Sequence, residues 1–164
     1  MSSLFELCQW LNNTQTSTAI RESTLPFPFI EGAHLLGIGV SAGTIALTDL
    51  RLLGLGMKKD PASKVLGALL PVTIGGFVVV FITGALLFLA EAEKSYSNPW
   101  FRFKLVFLAL AGLNALIFHT GIYRRMSQWD LDDLPPVRAR LAGGLSLVIW
   151  AAVIWLGRQF AYSH

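Results

Sequence analysis

The chain has 164 residues, of which 54% are hydrophobic and only 14% charged, with a mean hydropathy of +0.57. A soluble domain of this length carries about 25% charged residues, so the deficit points to a chain solvated mostly by lipid. The net charge of +3 does not mark a nucleic-acid partner, because the basic residues sit at the ends of apolar runs and form no stripe.

In chain order, residues 3–12 place Leu4, Leu7, Cys8 and Leu11 at helical spacing, flanked by Phe5 and Trp10. The stretch is too short to cross a bilayer and predicts an amphipathic helix lying in the interface. Cys8 is the single cysteine and makes no internal disulfide; a free buried thiol is expected. The first 25 residues lack a basic segment followed by an apolar core, so the first span is expected to do its own targeting.

Four apolar runs follow, over about 28–49, 65–90, 101–122 and 141–160. Each is about 20 residues, or roughly 30 Å of helix, which matches the hydrocarbon core. Pro71 lies inside the second run, where neighbouring helices satisfy the carbonyl it frees. The stretch 95–100 reads as a turn carrying interfacial aromatics. The fold class expected is all-α, a single four-transmembrane-helix bundle over 1–164 preceded by the interfacial helix.

Orientation follows from lysine and arginine. The loops 50–64 and 123–140 hold eight of them, counting Arg51, and the opposite side holds five: Arg21, Lys94, Arg102, Lys104 and Arg158. Both loops are therefore expected in the cytoplasm and both termini outside, as for a multi-pass protein of a bacterial inner membrane.

Ionisable groups at membrane depth are costly and usually functional, so they are the candidate site residues. Span 1 carries Glu31 and His34 one turn apart on a face that continues through Gly37, Ser41, Thr44 and Thr48. Small and hydroxylated residues at this spacing also serve helix packing, as does the Gly39–Gly43 pair on a neighbouring face. A Glu-x-x-His pair ligates two metals only when a second copy faces it, and one copy is present; a buried Glu31–Lys104 pair is the alternative. Span 3 carries His119. Helix-borne histidines are the usual axial ligands of b-type haem in membranes, so His34 and His119 are the candidate metal ligands, with Glu31 beside His34. Arg21, Arg102 and Lys104 lie near the outer boundary, where haem propionates want cationic partners. Trp10, Trp100 and Trp155 at the same level form an aromatic belt. Spans 1 and 3 run in the same direction, and the two histidines differ in depth by roughly 18 Å at 1.5 Å per residue. One haem therefore cannot use both. His164, on the outer side, is a further candidate ligand. No nucleophile elbow, phosphate loop or Ser-His pair at shared depth supports hydrolase or transferase chemistry.

The segment Ile20-Arg21-Glu22-Ser23, then Phe27 to Gly37 with Glu31 and His34, then Asp49-Leu50-Arg51-Leu52-Leu53-Gly54, resembles a family of short bacterial four-helix membrane proteins without an assigned activity. So do Phe103-Lys104-Leu105, Gly112-Leu113-Asn114 and Phe118-His119. The architecture is also similar to b-type membrane cytochromes, although those pair histidines at matching depth. The function expected is a haem b protein in electron transfer, or an oxidoreductase acting on quinone, an oxygen species or copper near the outer face. The alternative is a non-enzymatic homo-oligomeric assembly module or small-solute conduit, with Glu31, His34 and Lys104 as a buried polar network.

Overall fold

The computed structural model describes residues 3–163, which leaves His164 outside the described residues. It is all-helical: α1 (Ser3–Asn12), α2 (Gln15–Arg21), α3 (Pro26–Leu52), α4 (Ala62–Ala90), α5 (Ala92–Ser97), α6 (Pro99–Ile117) and α7 (Val137–Tyr162). A π turn at Phe118–Ile122 and a 3-10 turn at Tyr123–Gln128 continue α6. The helices Pro26–Leu52, Ala62–Ala90, Pro99–Gln128 and Val137–Tyr162 are long and apolar enough to cross a membrane, as expected. The chain is a multi-pass membrane protein. Apolar side chains such as Leu36, Phe81 and Val148 point outward along the spans, where lipid is their solvent.

The helices pack as two hairpins, α3 with α4 and α6 with α7, joined along α3 and α7. Close approach within the first hairpin depends on glycine. A Cβ on Gly76 would lie 2.5 Å from Ser41 Oγ and 3.2 Å from the Gly37 carbonyl, so α3 and α4 cross almost backbone to backbone. The Thr73 hydroxyl then donates to Thr44 Oγ1 at 2.8 Å across the same seam. In the second hairpin Asn114 donates to the Ala142 carbonyl at 3.0 Å. Helices α4 and α6 make no close backbone contact; aromatic side chains bridge the space, Phe88 stacking on Phe101 at 5.8 Å. Phe77 likewise meets Trp150 of α7 at 5.4 Å. Gly39 and Gly43 meet nothing within 4 Å, so their face of α3 is unoccupied within one chain.

The helix ends are where sequence and structure diverge. The first residues of α4 lack a local side-chain cap, because Pro61 occupies that position. Asp130, from the distant α6–α7 loop, supplies the cap. Its two carboxylate oxygens accept from the Ser63 amide at 2.7 Å and the Ser63 hydroxyl at 2.8 Å, and its carbonyl accepts from the Ala62 amide at 3.0 Å. A carboxylate at this place also faces the positive end of the helix dipole. At the other end of α4 the buried Ser17 hydroxyl donates to the Leu89 carbonyl at 2.6 Å, and Arg21 donates to the Ala90 carbonyl at 3.1 Å. Both donors come from α2, a helix the apolar pattern does not reveal. The interfacial helix α1 occurs where expected, with Cys8 buried, and rests on α5, Phe5 meeting Tyr96 at 5.8 Å. The stretch read as a turn at 95–100 is α5 up to Ser97, followed by a break at Asn98 that caps α6.

Arg51, read from the sequence as a loop anchor, is fully buried. It donates to the carbonyls of Asp60 at 3.2 and 3.3 Å, Asp130 at 3.5 Å and Asp132 at 3.4 Å, and among the described residues no carboxylate lies within ion-pair distance. It thus clasps the loop after α3 to the loop before α7. Above the clasp Leu52, Val65, Leu66, Phe118, Met126 and Trp129 form the best-buried apolar cluster. Gly54 turns the chain there at φ +73°, in a slot where a Cβ would meet the Asp133 carbonyl at 3.1 Å.

Removing the Arg51 side chain would take their donor from the Asp60 and Asp132 carbonyls and leave the Asp130 carbonyl to the Ala62 amide alone, and hydrogen bonds from a charged donor contribute about 1.5–3 kcal/mol each. Arg51→Ala is therefore expected to lower the unfolding midpoint in detergent by well over 10 °C, and Arg51→Lys to recover only part of it. Parent-like stability of Arg51→Ala would contradict the clasp.

Candidate functional site

Of the ionisable candidates within the spans, His34 on α3 and Lys104 on α6 are half-buried. His34 is half-buried on α3, facing α4, where Gly84 makes room for its ring: a Cβ on Gly84 would lie 3.0 Å from His34 Cε1. Its Nδ1 lies 2.9 Å from Thr83 Oγ1. The Thr83 hydroxyl has a single hydrogen, and it is donated to the Val79 carbonyl at 2.6 Å. Thr83 is then placed to accept from His34, and the Val80 carbonyl is a further backbone partner of the ring. In its neutral form the imidazole carries its proton on Nδ1 and leaves the Nε2 lone pair free. A threonine that sets a histidine's tautomer from behind is the arrangement by which outer-shell partners orient metal-ligating imidazoles.

Lys104, on α6, is a charged neighbour of His34. Its side chain lies along Gly157 of α7, with Nζ 3.6 Å from the position a Cβ would take there. Among the described residues the ion pairs are Lys64–Asp60 and Lys94–Glu91, and neither involves Lys104. His34, Thr83 with Gly84, Lys104 and Gly157 thus lie on the four spanning helices in the half of the bundle nearer the chain termini, Gly84 against His34 and Gly157 against Lys104. An ammonium within a membrane span without a counter-ion is an unusual feature, and such groups cluster at binding sites.

The remaining candidates are elsewhere. Glu31 is exposed and forms no ion pair with Lys104, so the buried Glu–Lys pair considered above is not formed. The Arg21 guanidinium binds the Asn12 carbonyl and side chain at 3.3 and 3.2 Å as well as the Ala90 carbonyl, a helix-capping task. Arg102 is exposed, donating to the Tyr96 carbonyl at 3.2 Å with its guanidinium over the Tyr96 ring. His119 lies in the π turn, exposed, with Nδ1 2.8 Å from the Ala115 carbonyl and its ring stacked on Tyr123. A carbonyl only accepts, so His119 also keeps its proton on Nδ1. It sits about 18 Å deeper than His34 along parallel helices, and the structure does not bring the two rings together. Among the described residues no group of three or more His, Cys, Asp or Glu side chains is arranged to hold a metal ion.

The sequence did not single out Thr83, nor Asp49, which is buried near the C-terminal end of α3 with a hydrogen bond to Ser146 and its second oxygen, Oδ2, unpartnered. A sequence signal for Asp49 existed: it is the one carboxylate in a 27-residue apolar helix beyond the first two turns. Thr83 carries none, because a threonine in an apolar run is ordinary until its partner is known.

Lys104 without a partner is destabilising where it stands. Lys104→Met is expected to raise the thermal midpoint in detergent by a few degrees, as replacements at function-bearing polar sites do. A lower midpoint would show that the ammonium has a stabilising partner.

The chain belongs to a protein family of unknown function, DUF6644, whose model matches residues 24–163. No curated protein and no solved structure matches it. The match takes in His34, Thr83, Gly84, Lys104 and Gly157 and begins after α2.

Proposed function

We propose that this chain is a haem b protein of the bacterial cytoplasmic membrane, with both termini outside, that transfers electrons near the outer face. The observation that carries the reading is the His34 imidazole, whose Nδ1 lies 2.9 Å from the Thr83 hydroxyl so that Nε2 would be the nitrogen left for a ligand, with Lys104 on another spanning helix forming no ion pair among the described residues. That donor set suits one axial ligand and one propionate partner. His34 would hold the iron through Nε2, and Lys104 would neutralise a propionate. Bound there, a haem supplies one-electron exchange. Thr83 keeps the imidazole in register and raises its basicity as a ligand. His119, at another depth, would not hold the same haem, and a further ligand would come from a small exogenous group or a second copy. A second haem on His119 would use its free Nε2. The redox partner on this reading is a quinone from the bilayer, a periplasmic protein or a copper ion.

A second reading rests on a different observation. Polar groups along α3 meet polar groups of other helices: His34 meets Thr83, Thr44 meets Thr73, and Asp49 meets Ser146 through one oxygen. This suits a non-enzymatic homo-oligomeric module or conduit, with the open Gly39–Gly43 face of α3 for a second copy.

An absorption spectrum of purified protein, as isolated and after dithionite, with haem counted per chain, separates the two. The haem reading expects a Soret band that shifts on reduction, lost in His34→Ala. Thr83→Val should weaken haem retention by about 10–100-fold. A colourless protein after expression with ample haem would leave the polar-network reading standing.

A further inference from the structure

Beyond the Asn114–Ala142 hydrogen bond, the chain leaves regular α-helix and passes through the π turn and the 3-10 turn. Such breaks in helix geometry recur at functional sites. Here the break accompanies a groove of about 650 Å³ between the end of α6 and the start of α7, open on one side. The size lies within the usual range for small-molecule sites. Its floor is apolar and belongs to the spans, with Ile117, Leu141 and Leu145 along it. Its mouth is cationic and polar, with Arg125, Arg138 and Gln128.

Both arginines are exposed, and neither pairs with a carboxylate. The acidic groups of the neighbouring loop do not neutralise them: Asp130 is committed to Ser63, and Asp132 and Asp133 form no ion pair. Two guanidinium groups at a membrane boundary, over an apolar floor that continues into the span, complement one kind of molecule. It has an anionic headgroup and hydrocarbon chains.

We infer that this groove is a binding site for an anionic glycerophospholipid of the surrounding leaflet. Arg125 and Arg138 hold the phosphate, and the upper part of an acyl chain lies along Ile117, Leu141 and Leu145. Guanidinium groups suit a phosphate because they offer paired donors in a fixed fork. Basic pockets between spanning helices are the usual places where anionic headgroups are recognised. The site is separate from His34 and does not depend on any cofactor there.

The test is native mass spectrometry of the full chain in mild detergent, titrated with phosphatidylglycerol or phosphatidylcholine of the same acyl chains. Variants are Arg125→Gln/Arg138→Gln and the control Arg124→Gln, which removes an adjacent exposed charge that does not line the groove. The inference expects one phosphatidylglycerol bound per chain, at least 10-fold more tightly than phosphatidylcholine. It expects that preference to be lost in the double variant and kept in Arg124→Gln. Equal binding of the two lipids would overturn it, as would equal loss in Arg124→Gln, which would indicate a diffuse charge effect. Displacement of the lipid by millimolar inorganic phosphate would also overturn it, because the site would then read a free anion. The double variant changes exposed residues only, and an unaltered thermal midpoint confirms that it is folded.

Discussion

Backbone amides and carbonyls at the ends of a membrane helix must find partners where water is scarce, and this constraint organises the molecule. Helix α4 meets it from outside its own neighbourhood at both ends. Asp130 caps its start from a loop 67 residues away, and Ser17 and Arg21 cap its finish from a helix about as far upstream. Arg51 meets the same demand for the two loops, each of whose turns leaves a carbonyl turned inward. A buried arginine without a counter-ion is costly alone, and here its donors replace the water that those carbonyls lack.

The consequence is a bundle pinned at its ends. The cluster around Leu52, Phe118 and Trp129 and the Arg51 clasp fix the loop side; α1, α2 and α5 close the other. Between them α4 and α6 need not touch, and large aromatic side chains span the distance. That separation is what permits a histidine and a lysine to sit in the half of the bundle nearer the termini. Gly84 and Gly157 leave the space that the His34 ring and the Lys104 stem occupy. The haem and lipid proposals thus draw on opposite ends of one plan, hairpins held apart by aromatic side chains and a groove beside a broken helix.

The spans and the N-terminal helix were legible because hydropathy and helical spacing report directly on which solvent a segment meets. The boundaries moved outward by a few residues, since α3 begins at Pro26, a residue suited to a first turn. Helices α2 and α5 were not legible, being short and polar and existing through contacts with α4 and α1. The exposed charge count misplaced Arg51, because a composition rule locates arginine near an interface and cannot tell a snorkelling side chain from a buried clasp. His34 and Lys104 were legible as ionisable groups inside spans. Glu31 shared their spacing argument, yet one turn nearer the helix start its side chain is exposed. Thr83, which determines the chemistry of His34, stayed hidden because its role lies in a hydroxyl direction that no residue pattern encodes.

The central claim is that Thr83 holds His34 with Nε2 free for a ligand, and nitrogen-15 NMR of the histidines in lipid bilayers tests it most directly. In haem-free protein the account predicts a His34 signal, identified by its loss in His34→Gln, with a protonated Nδ1 and an unprotonated Nε2. A proton on Nε2 would contradict it and leave His34 a hydrogen-bonding residue of the bundle with no lone pair to offer a metal.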